Sequence, residues 1–211
     1  MTSGKRKGHP IFAALYDLMS RGMEQRHLAQ HRRDLIASAN GHLLEIGAGT
    51  GANFAYYLPG LAVTATEPDP FMLRRAAAKT RKAQAQVRLV QAEAEALPFP
   101  EGTFDAVLST LVLCSVADPS QALHEIRRVL RPGGRLLFYE HVRAETPRWQ
   151  KFQDVITPLW KRLGAGCHPN RNTAQTIRQA GFDVTTLERI NFGPYPAKPH
   201  IKGVAEKAGP V

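Results

Sequence analysis

With 211 residues, of which 43% are hydrophobic and 22% charged, the chain has the length and composition of one globular domain. No apolar run approaches the roughly 20 residues of a membrane helix, and the formal charge of +10 is dispersed without interleaved aromatic residues, so neither a transmembrane segment nor a nucleic-acid partner is predicted. Two cysteines cannot form a disulfide framework, and residues 1–10 lack the apolar core of a signal peptide, so we expect free thiols and a cytoplasmic location.

The N-terminal region is predicted to form two amphipathic helices over residues 11–39, ahead of the first strand. We assign residues 1–41 to a helical extension that forms part of a substrate pocket. Phe12 and Tyr16, on the first helix, are expected to line that pocket, with core packing as the alternative for both rings.

Residues 42–211 are predicted to form the main domain, because strand and helix patterns alternate through most of it. Strands are expected at residues 42–46, 62–66, 87–91, 104–109, 135–142, 182–191 and 200–207. Helices are expected at residues 52–58, 70–82, 118–130 and 172–179, with a helical or irregular lid over 145–170. This order predicts an α/β, doubly wound, seven-stranded, mostly parallel sheet that closes with an antiparallel strand.

A glycine-rich loop, Gly47-Ala48-Gly49-Thr50-Gly51, follows the first predicted strand. Such a loop makes a tight turn that a nucleoside can approach closely. Its glycines also fit the dinucleotide pattern G-x-G-x-x-G/A, and Glu67 lies where either cofactor would present its ribose hydroxyls. The loop alone therefore leaves both kinds of cofactor open.

Three further features favour S-adenosylmethionine (SAM). Glu45 stands just before the loop, where a carboxylate attracts an ammonium group and repels a pyrophosphate. Residues 92–99 (AEAEALPF) follow the third strand, and residues 130–134 (LRPGG) precede the fifth. At these spacings, residues 42–142 resemble the class I SAM-dependent methyltransferases, which implies their Rossmann-like fold and SAM as cofactor.

This resemblance implies roles for individual residues along the predicted sheet edge. Glu45 is expected at the methionine ammonium, Gly47, Gly49 and Gly51 in the loop, Glu67 and Pro68 at the ribose, Glu93 and Ala94 at the adenine, and Thr110 and Leu111 at the methionine end. Glu95 is a weaker candidate for the adenine contact, because a solvated loop carboxylate explains it equally well.

Further segments look like the mammalian thiol S-methyltransferases of the methyltransferase-like family. They are residues 44–54, 110–116, 129–134, 140–142, 158–160, 166–167, 171–173 and 199–203. The resemblance implies a small-molecule thiol as methyl acceptor. Those relatives carry an N-terminal hydrophobic anchor, whereas only residues 1–10 precede the amphipathic helices here, so membrane attachment is not expected to carry over.

Candidate acceptor-side residues are predicted near the end of the fifth strand. His141 is the first candidate for a weak base or positive neighbour that supplies a thiolate, because ligands bind at the carboxyl ends of such strands. His200 and His168 are weaker candidates. The acceptor pocket is expected to include Trp160, Cys167 and Arg171 in addition to the N-terminal aromatic residues. Because the spacing of the cysteines and histidines matches no tight metal motif, no metal is predicted.

The sequence leaves other functions open. The same cofactor half serves N- and O-methyltransferases acting on a phospholipid head group, a quinone or a specialised metabolite. The basic helix over residues 11–26 would suit peripheral contact with an anionic membrane. A cofactor-binding or nucleic-acid-binding accessory protein without turnover is the non-enzymatic alternative. The pattern does not define an oligomeric state.

Overall fold

Seven strands form one sheet in the computed structural model, which describes residues 28–209. They are β1 (His42–Ile46), β2 (Ala62–Thr66), β3 (Gln86–Val90), β4 (Phe104–Thr110), β5 (Leu130–His141), β6 (Phe182–Asn191) and β7 (Pro199–Lys207). The order across the sheet is β3-β2-β1-β4-β5-β7-β6. Strands β1 to β5 are parallel, and β7 is antiparallel to both β5 and β6. This confirms the predicted doubly wound sheet and its closing antiparallel strand.

Helices connect the strands. They are α1 (Ala29–Ala37), α2 (Pro70–Thr80), α3 (Pro119–Val129), α4 (Pro147–Leu163) and α5 (Thr173–Gln179). Both α2 and α3 begin with an aspartate whose carboxylate accepts hydrogen bonds from the first turn, followed by a proline at the first helical position. These residues define a helix start locally, because the aspartate satisfies exposed N–H groups and proline needs none.

The sheet is buried on both faces, as its parallel strands require. Successive residues of β1 point to opposite sides, so Leu43 packs in one apolar cluster and Leu44 in the other. The Leu44 cluster includes buried residues of α3 and α5, and the Leu43 cluster includes buried residues of α1 and α2. Helices on both faces therefore hold the strand ends in a fixed arrangement.

One predicted helix differs from the structure. The helix expected at residues 52–58 is reduced to a 3-10 turn at Phe54–Tyr56. Left-handed glycine conformation persists to Gly51, and Pro59 limits the segment at its other end, so a full helix does not fit between them. Residues 145–170, predicted as helical or irregular, contain the helix α4, which is followed by its capping residue Gly164, and their role as a lid stays a prediction.

The first predicted amphipathic helix, with Phe12 and Tyr16, lies outside the described residues, and the second is α1. Between residues 28 and 209, no helix has the length and apolar character needed to cross a bilayer.

Candidate active site

The candidate site lies where β1, β2, β4 and β5 end at their carboxyl sides. From β1 the chain moves outward to β2 and β3, and then returns to place β4 on the other side of β1. This reversal between β1 and β4 is the point at which open α/β sheets bind ligands.

The glycine loop follows β1 in a conformation that requires glycine. Gly47 and Gly49 both have φ of +57°. A Cβ atom at Gly47 would lie 2.7 Å from the Val112 side chain, whereas a Cβ at Gly49 would meet no atom of the described chain within 4 Å. Among the described residues, therefore, no side chain covers Gly49, and its backbone conformation is compatible with the predicted approach of a nucleoside.

Glu67, at the end of β2, supports this loop. Its carboxylate accepts hydrogen bonds from the backbone N–H of Gly49 at 2.8 Å and from that of Asp69 at 2.9 Å. The Glu67 carboxylate therefore lies directly against the glycine loop, at the carboxyl end of β2. Its predicted contact with a ribose is compatible with this geometry and stays a prediction.

Glu45 occupies a buried polar network rather than an open surface. It is 1% exposed, and its carboxylate accepts hydrogen bonds from the Tyr57 hydroxyl and from Asn53 Nδ2, the latter at 2.7 Å. Asn53 also donates to Thr110 Oγ1 at 2.9 Å and accepts from Arg32 Nη1 at 2.7 Å. Burial raises the pKa of the Glu45 carboxyl. Glu45 therefore ties β1, β4 and α1 together, and its expected contact with an ammonium group stays a prediction.

The segment after β3 contains the residues predicted to contact the adenine, and one of its carboxylates has a structural role. Glu95 accepts hydrogen bonds from the backbone N–H of Ala117 and Asp118, at 2.8 and 3.3 Å, which assigns it to supporting the start of α3. Ala94 is buried in the core. The Glu93 carbonyl accepts from Ala96, and the Pro68 carbonyl accepts from the Gln91 side chain, so these predicted cofactor contacts lie in loops beside β2 and β3.

A second buried carboxylate, Glu140 of β5, organises the turn after β4. It is 0% exposed and accepts hydrogen bonds from the Ser109 hydroxyl at 2.6 Å and from three successive backbone N–H groups at 3.1 Å. The three N–H groups belong to Val112, Leu113 and Cys114. Burial raises the pKa of the Glu140 carboxyl, whereas these hydrogen bonds lower it.

Leu111 begins the same turn with a φ of +61°, a left-handed conformation that is rare for leucine. Its N–H donates to the Tyr139 carbonyl at 2.8 Å, and Arg171 Nη1 donates to the Leu113 carbonyl at 2.7 Å. Such a conformation persists only where surrounding contacts impose it, and such residues cluster at functional sites. The predicted pocket residue Arg171 therefore supports this turn.

Three side chains that are distant in sequence meet beside the turn. Cys114 Sγ lies 3.5 Å from His141 Nδ1, Cys167 Sγ lies 3.4 Å from the same nitrogen, and the two sulfurs are 3.8 Å apart. Both cysteines are buried and free, and His141 is partly buried at the end of β5. Within residues 28–209, this is the one group of three potential metal-ligand side chains whose ligand atoms all lie within 4.8 Å.

The two thiols differ in acidity. The hydrogen bond between the sulfurs and the nearby His141 imidazole lower the pKa of Cys167. The same hydrogen bond, with burial, raises the pKa of Cys114. Cys167 is therefore the thiol that ionises first.

His200 lies behind this cluster. It pairs with His141 across β5 and β7, and the two ring centroids are 4.5 Å apart. His200 is 4% exposed, and its Nδ1 lies 3.0 Å from the Lys198 carbonyl. Burial lowers the pKa of His200 to about 3, so its ring is neutral.

The structure brings several other predicted acceptor-side residues to this region. Cys167 is in the cluster, and the backbone N–H of the next residue, His168, donates to the Cys114 carbonyl at 2.7 Å. The Trp160 indole N–H is buried, and its interaction with the Cys167 sulfur contributes to lowering the pKa of that thiol. Trp149, in the first turn of α4, stacks on Tyr195 with the ring centroids 3.8 Å apart, so its ring has a packing role.

Sequence reasoning missed Glu140 and Asn53 as organising residues. Both side chains are polar and buried. In the sequence, the weak signal for Glu140 is that it interrupts the apolar run of β5, and the weak signal for Asn53 is its position just after the glycine loop. The convergence of Cys114 with Cys167 gives no such signal, because 53 residues separate them and only the fold brings them together.

Comparison with known proteins places this site in a family. A family model described as a methyltransferase domain matches residues 44–138. The chain is 39% identical to human thiol S-methyltransferase TMT1B over 93% of this chain and 84% of that protein. It is 30% identical to demethylmenaquinone methyltransferase of Lactiplantibacillus plantarum, over 87% of this chain and 88% of that protein. A crystal structure from Bacillus halodurans shares the fold, with a TM-score of 0.72, 19% identity, and coverage of 87% of this chain and 99% of that one.

Proposed function

The chain belongs to the class I SAM-dependent methyltransferases that include human thiol S-methyltransferase TMT1B, and from this premise we propose that it methylates the sulfur of a small-molecule thiol. One observation carries the proposal: the 39% identity to TMT1B extends over 84% of that protein and so includes the acceptor side as well as the cofactor side. The quinone methyltransferase match, at 30%, is weaker over a similar length.

SAM is the methyl donor of this family, and when bound it supplies an electrophilic methyl group on a sulfonium. We propose that the glycine loop holds the charged methionine portion of SAM and that Glu67 binds the ribose hydroxyls of SAM. The left-handed conformation of Gly49 and the position of the Glu67 carboxylate beside the loop support this assignment. The remaining proposed contacts are Pro68 at the ribose, Glu93 and Ala94 at the adenine, and Thr110 and Leu111 at the methionine end.

A thiol suits the acceptor side because little basic assistance is available there. The carboxylate of Glu140 already accepts four hydrogen bonds, and His200 is buried with its Nδ1 at the Lys198 carbonyl. His141 remains as the partly exposed titratable group at the end of β5. A small thiol with a pKa near about 8.5 is partly ionised at neutral pH, so it needs less assistance than an amine or a hydroxyl group.

Catalysis on this account is mainly positioning. The acceptor sulfur must lie in line with the methyl group, roughly 3 to 3.5 Å away, in a site that excludes water. The turn after β4, fixed by Glu140 and Arg171, provides a rigid wall for such a site. His141, Trp160 and Cys167 are the proposed acceptor-side residues, and neither cysteine is needed as a nucleophile because transfer from SAM is direct.

An acceptor panel tests the proposal. Purified full-length protein is incubated with SAM labelled in its methyl group and with 2-mercaptoethanol or its hydroxyl analogue ethylene glycol, which differ only in sulfur against oxygen. Further arms use a demethylated menaquinone analogue, a primary amine, a phenol and phosphatidylethanolamine vesicles. We expect label in the thioether alone. Label in the quinone, amine, phenol or lipid, with every thiol inert, would overturn the thiol assignment.

A further inference from the structure

We propose that Cys114, Cys167 and His141 form a zinc site whose fourth position accepts the thiol substrate. The three ligand atoms already lie within hydrogen-bond distance of one another, at 3.4 to 3.8 Å. The proposed metal site stands on this cluster alone, whereas the role of its fourth position rests on the thiol methylation proposed above.

The triangle has the dimensions of one face of a zinc tetrahedron. Zinc bonds of about 2.3 Å to sulfur and about 2.0–2.1 Å to nitrogen, at tetrahedral angles, place two sulfurs about 3.8 Å apart and sulfur and nitrogen about 3.5–3.6 Å apart. The observed separations are 3.8 Å between the sulfurs and 3.5 and 3.4 Å from the sulfurs to His141 Nδ1. A zinc ion would therefore fit with ligand movements of about 0.2 Å.

The chemical type of the three ligands also favours one class of metal ion. Two thiolates and one imidazole are soft or borderline ligands, which favour zinc over magnesium or calcium. Cys114 and Cys167 are buried, so the thiolates would be shielded from water. A disulfide is the other use of two adjacent cysteines, but it needs a sulfur separation of about 2.05 Å and no imidazole.

Backbone hydrogen bonds hold the ligands in place. The Cys114 N–H donates to Glu140 at 3.1 Å, and the Cys114 carbonyl accepts from the N–H of His168 at 2.7 Å. Cys167 is tied by its own N–H to the Gly164 carbonyl at 3.0 Å. His141 is fixed at the end of β5 by pairing with β7. The ligand triangle is therefore set by the fold before a metal binds.

Three protein ligands leave one tetrahedral position for another molecule. Catalytic zinc sites have this composition, whereas structural zinc sites bind four protein ligands. Among residues 28–209, no fourth histidine, cysteine, aspartate or glutamate joins the cluster. His141, the partly exposed member of the cluster, lies at the end of β5, on the edge where the glycine loop also lies.

A thiol bound at this position would be activated for methylation. Coordination to zinc deprotonates a thiol, and the proton passes to solvent. The resulting thiolate sulfur forms a bond to the methyl carbon while the bond from that carbon to the sulfonium breaks, and its electron pair stays on the donor sulfur. The products are a neutral thioether and S-adenosylhomocysteine. A thioether binds zinc more weakly than a thiolate, so the methylated product is released.

Metal content tests the site without reference to activity. The full-length protein is purified with a phosphine reductant and dialysed, and zinc is measured for wild type, Cys114→Ser, Cys167→Ser and His141→Asn. His124→Asn, which changes an exposed histidine of α3, is the matched control. We expect about one zinc per chain in wild type and control. In each of the three variants, zinc affinity should fall by more than the roughly 100-fold that is lost when a residue supporting a ligand is removed. Wild type without zinc, or variants that retain it fully, would overturn the site.

Cobalt substitution of the wild-type protein tests the geometry even if a variant fails to fold. One equivalent of Co²⁺ should produce sulfur-to-cobalt charge-transfer absorption that Zn²⁺ abolishes. Adding 2-mercaptoethanol without SAM should increase that absorption, because a third sulfur enters the coordination sphere. Absence of the absorption, with a Cys114–Cys167 disulfide found by mass spectrometry, would contradict the metal site. Absorption that does not respond to the thiol would contradict the open position.

The two proposals fail separately. If the cobalt spectrum responds to thiols but the panel shows methylation of another acceptor class only, the metal site stands and the thiol function fails. If thiols are methylated equally before and after complete zinc removal by a chelator, the thiol function stands and the catalytic role of zinc fails. We expect removal to lower thiol turnover by more than roughly tenfold and zinc addition to restore it.

Discussion

Two turns at the same edge of the sheet are organised by buried carboxylates, but they differ in how far their sequences predict them. Glu67 accepts backbone hydrogen bonds in the glycine loop after β1, and Glu140 does so in the turn after β4. The first turn has a local sequence motif, and we propose that it serves the cofactor. The second is assembled from tertiary contacts, and we propose that it supports the acceptor side. Cofactor binding and acceptor choice are therefore separate structural problems in this chain, and substitutions should separate them.

Removing the Glu140 carboxylate should produce the largest effect. Glu140→Ala leaves three backbone N–H groups without their acceptor, and each buried unsatisfied donor costs roughly 1–3 kcal/mol. We expect the free energy of unfolding, measured by urea denaturation at neutral pH, to fall by at least roughly 3 kcal/mol. Glu140→Gln, which keeps one acceptor oxygen, should lose less. A loss below about 1 kcal/mol in Glu140→Ala would show that the turn does not depend on this residue.

Glu67→Ala should instead act on cofactor affinity. A hydrogen bond to a charged group contributes roughly 1.5–3 kcal/mol, so loss of one ribose contact should weaken SAM binding by roughly 10- to 150-fold in calorimetric titration. Glu67→Gln should retain part of the affinity. Unchanged SAM affinity in Glu67→Ala would refute the ribose assignment. The turn beside Glu67 would then have no demonstrated role in cofactor binding.

Two glycines distinguish backbone strain from cofactor contact. Gly49 and Gly133 both have positive φ and open space around an added Cβ, with φ of +57° and +71°. Alanine at either position should cost roughly 1–2 kcal/mol of stability because left-handed backbone disfavours a side chain. Only Gly49→Ala should also weaken SAM binding. Equal SAM affinity in both variants would place the cofactor away from Gly49.

The smallest effect is expected at an ion pair on the acceptor side. Asp154 of α4 accepts two hydrogen bonds from Arg143, both at 2.7 Å, and the Arg143 guanidinium lowers the pKa of Asp154 to about 2. Because the side chains are 33% and 45% exposed, Asp154→Asn should cost less than about 1 kcal/mol at neutral pH.

The pH dependence of this ion pair has a defined sign. A carboxyl with a pKa below its unfolded value stabilises the fold above about pH 4, and that contribution is lost as the pH falls toward about 2. The stability difference between wild type and Asp154→Asn should therefore shrink between about pH 5 and about pH 3. A difference that grows on acidification would contradict the assignment.

The sequence predicted the fold well because its signals are local. Asp69 and Asp118, each followed by proline, define helix starts, and the glycine loop defines the turn after β1. The acceptor side could be predicted only in part. His141 was identified from its position at a strand end, but its meeting with Cys114 and Cys167 depends on how the loop after α4 folds against the turn after β4. Chain spacing also gave no metal motif, although three potential ligands, two cysteines and one histidine, converge in space.

The proposed division between cofactor side and acceptor side is tested most directly by substituting His141. His141→Asn and the control His124→Asn should be compared in two assays, calorimetric binding of SAM and turnover of 2-mercaptoethanol from about pH 6 to about pH 9. We predict that His141→Asn leaves SAM affinity unchanged and lowers thiol turnover by roughly 100-fold, the usual scale for loss of an activating group. Unchanged turnover across that range, or a matching loss of SAM affinity, would contradict the proposed division between the cofactor and acceptor sides.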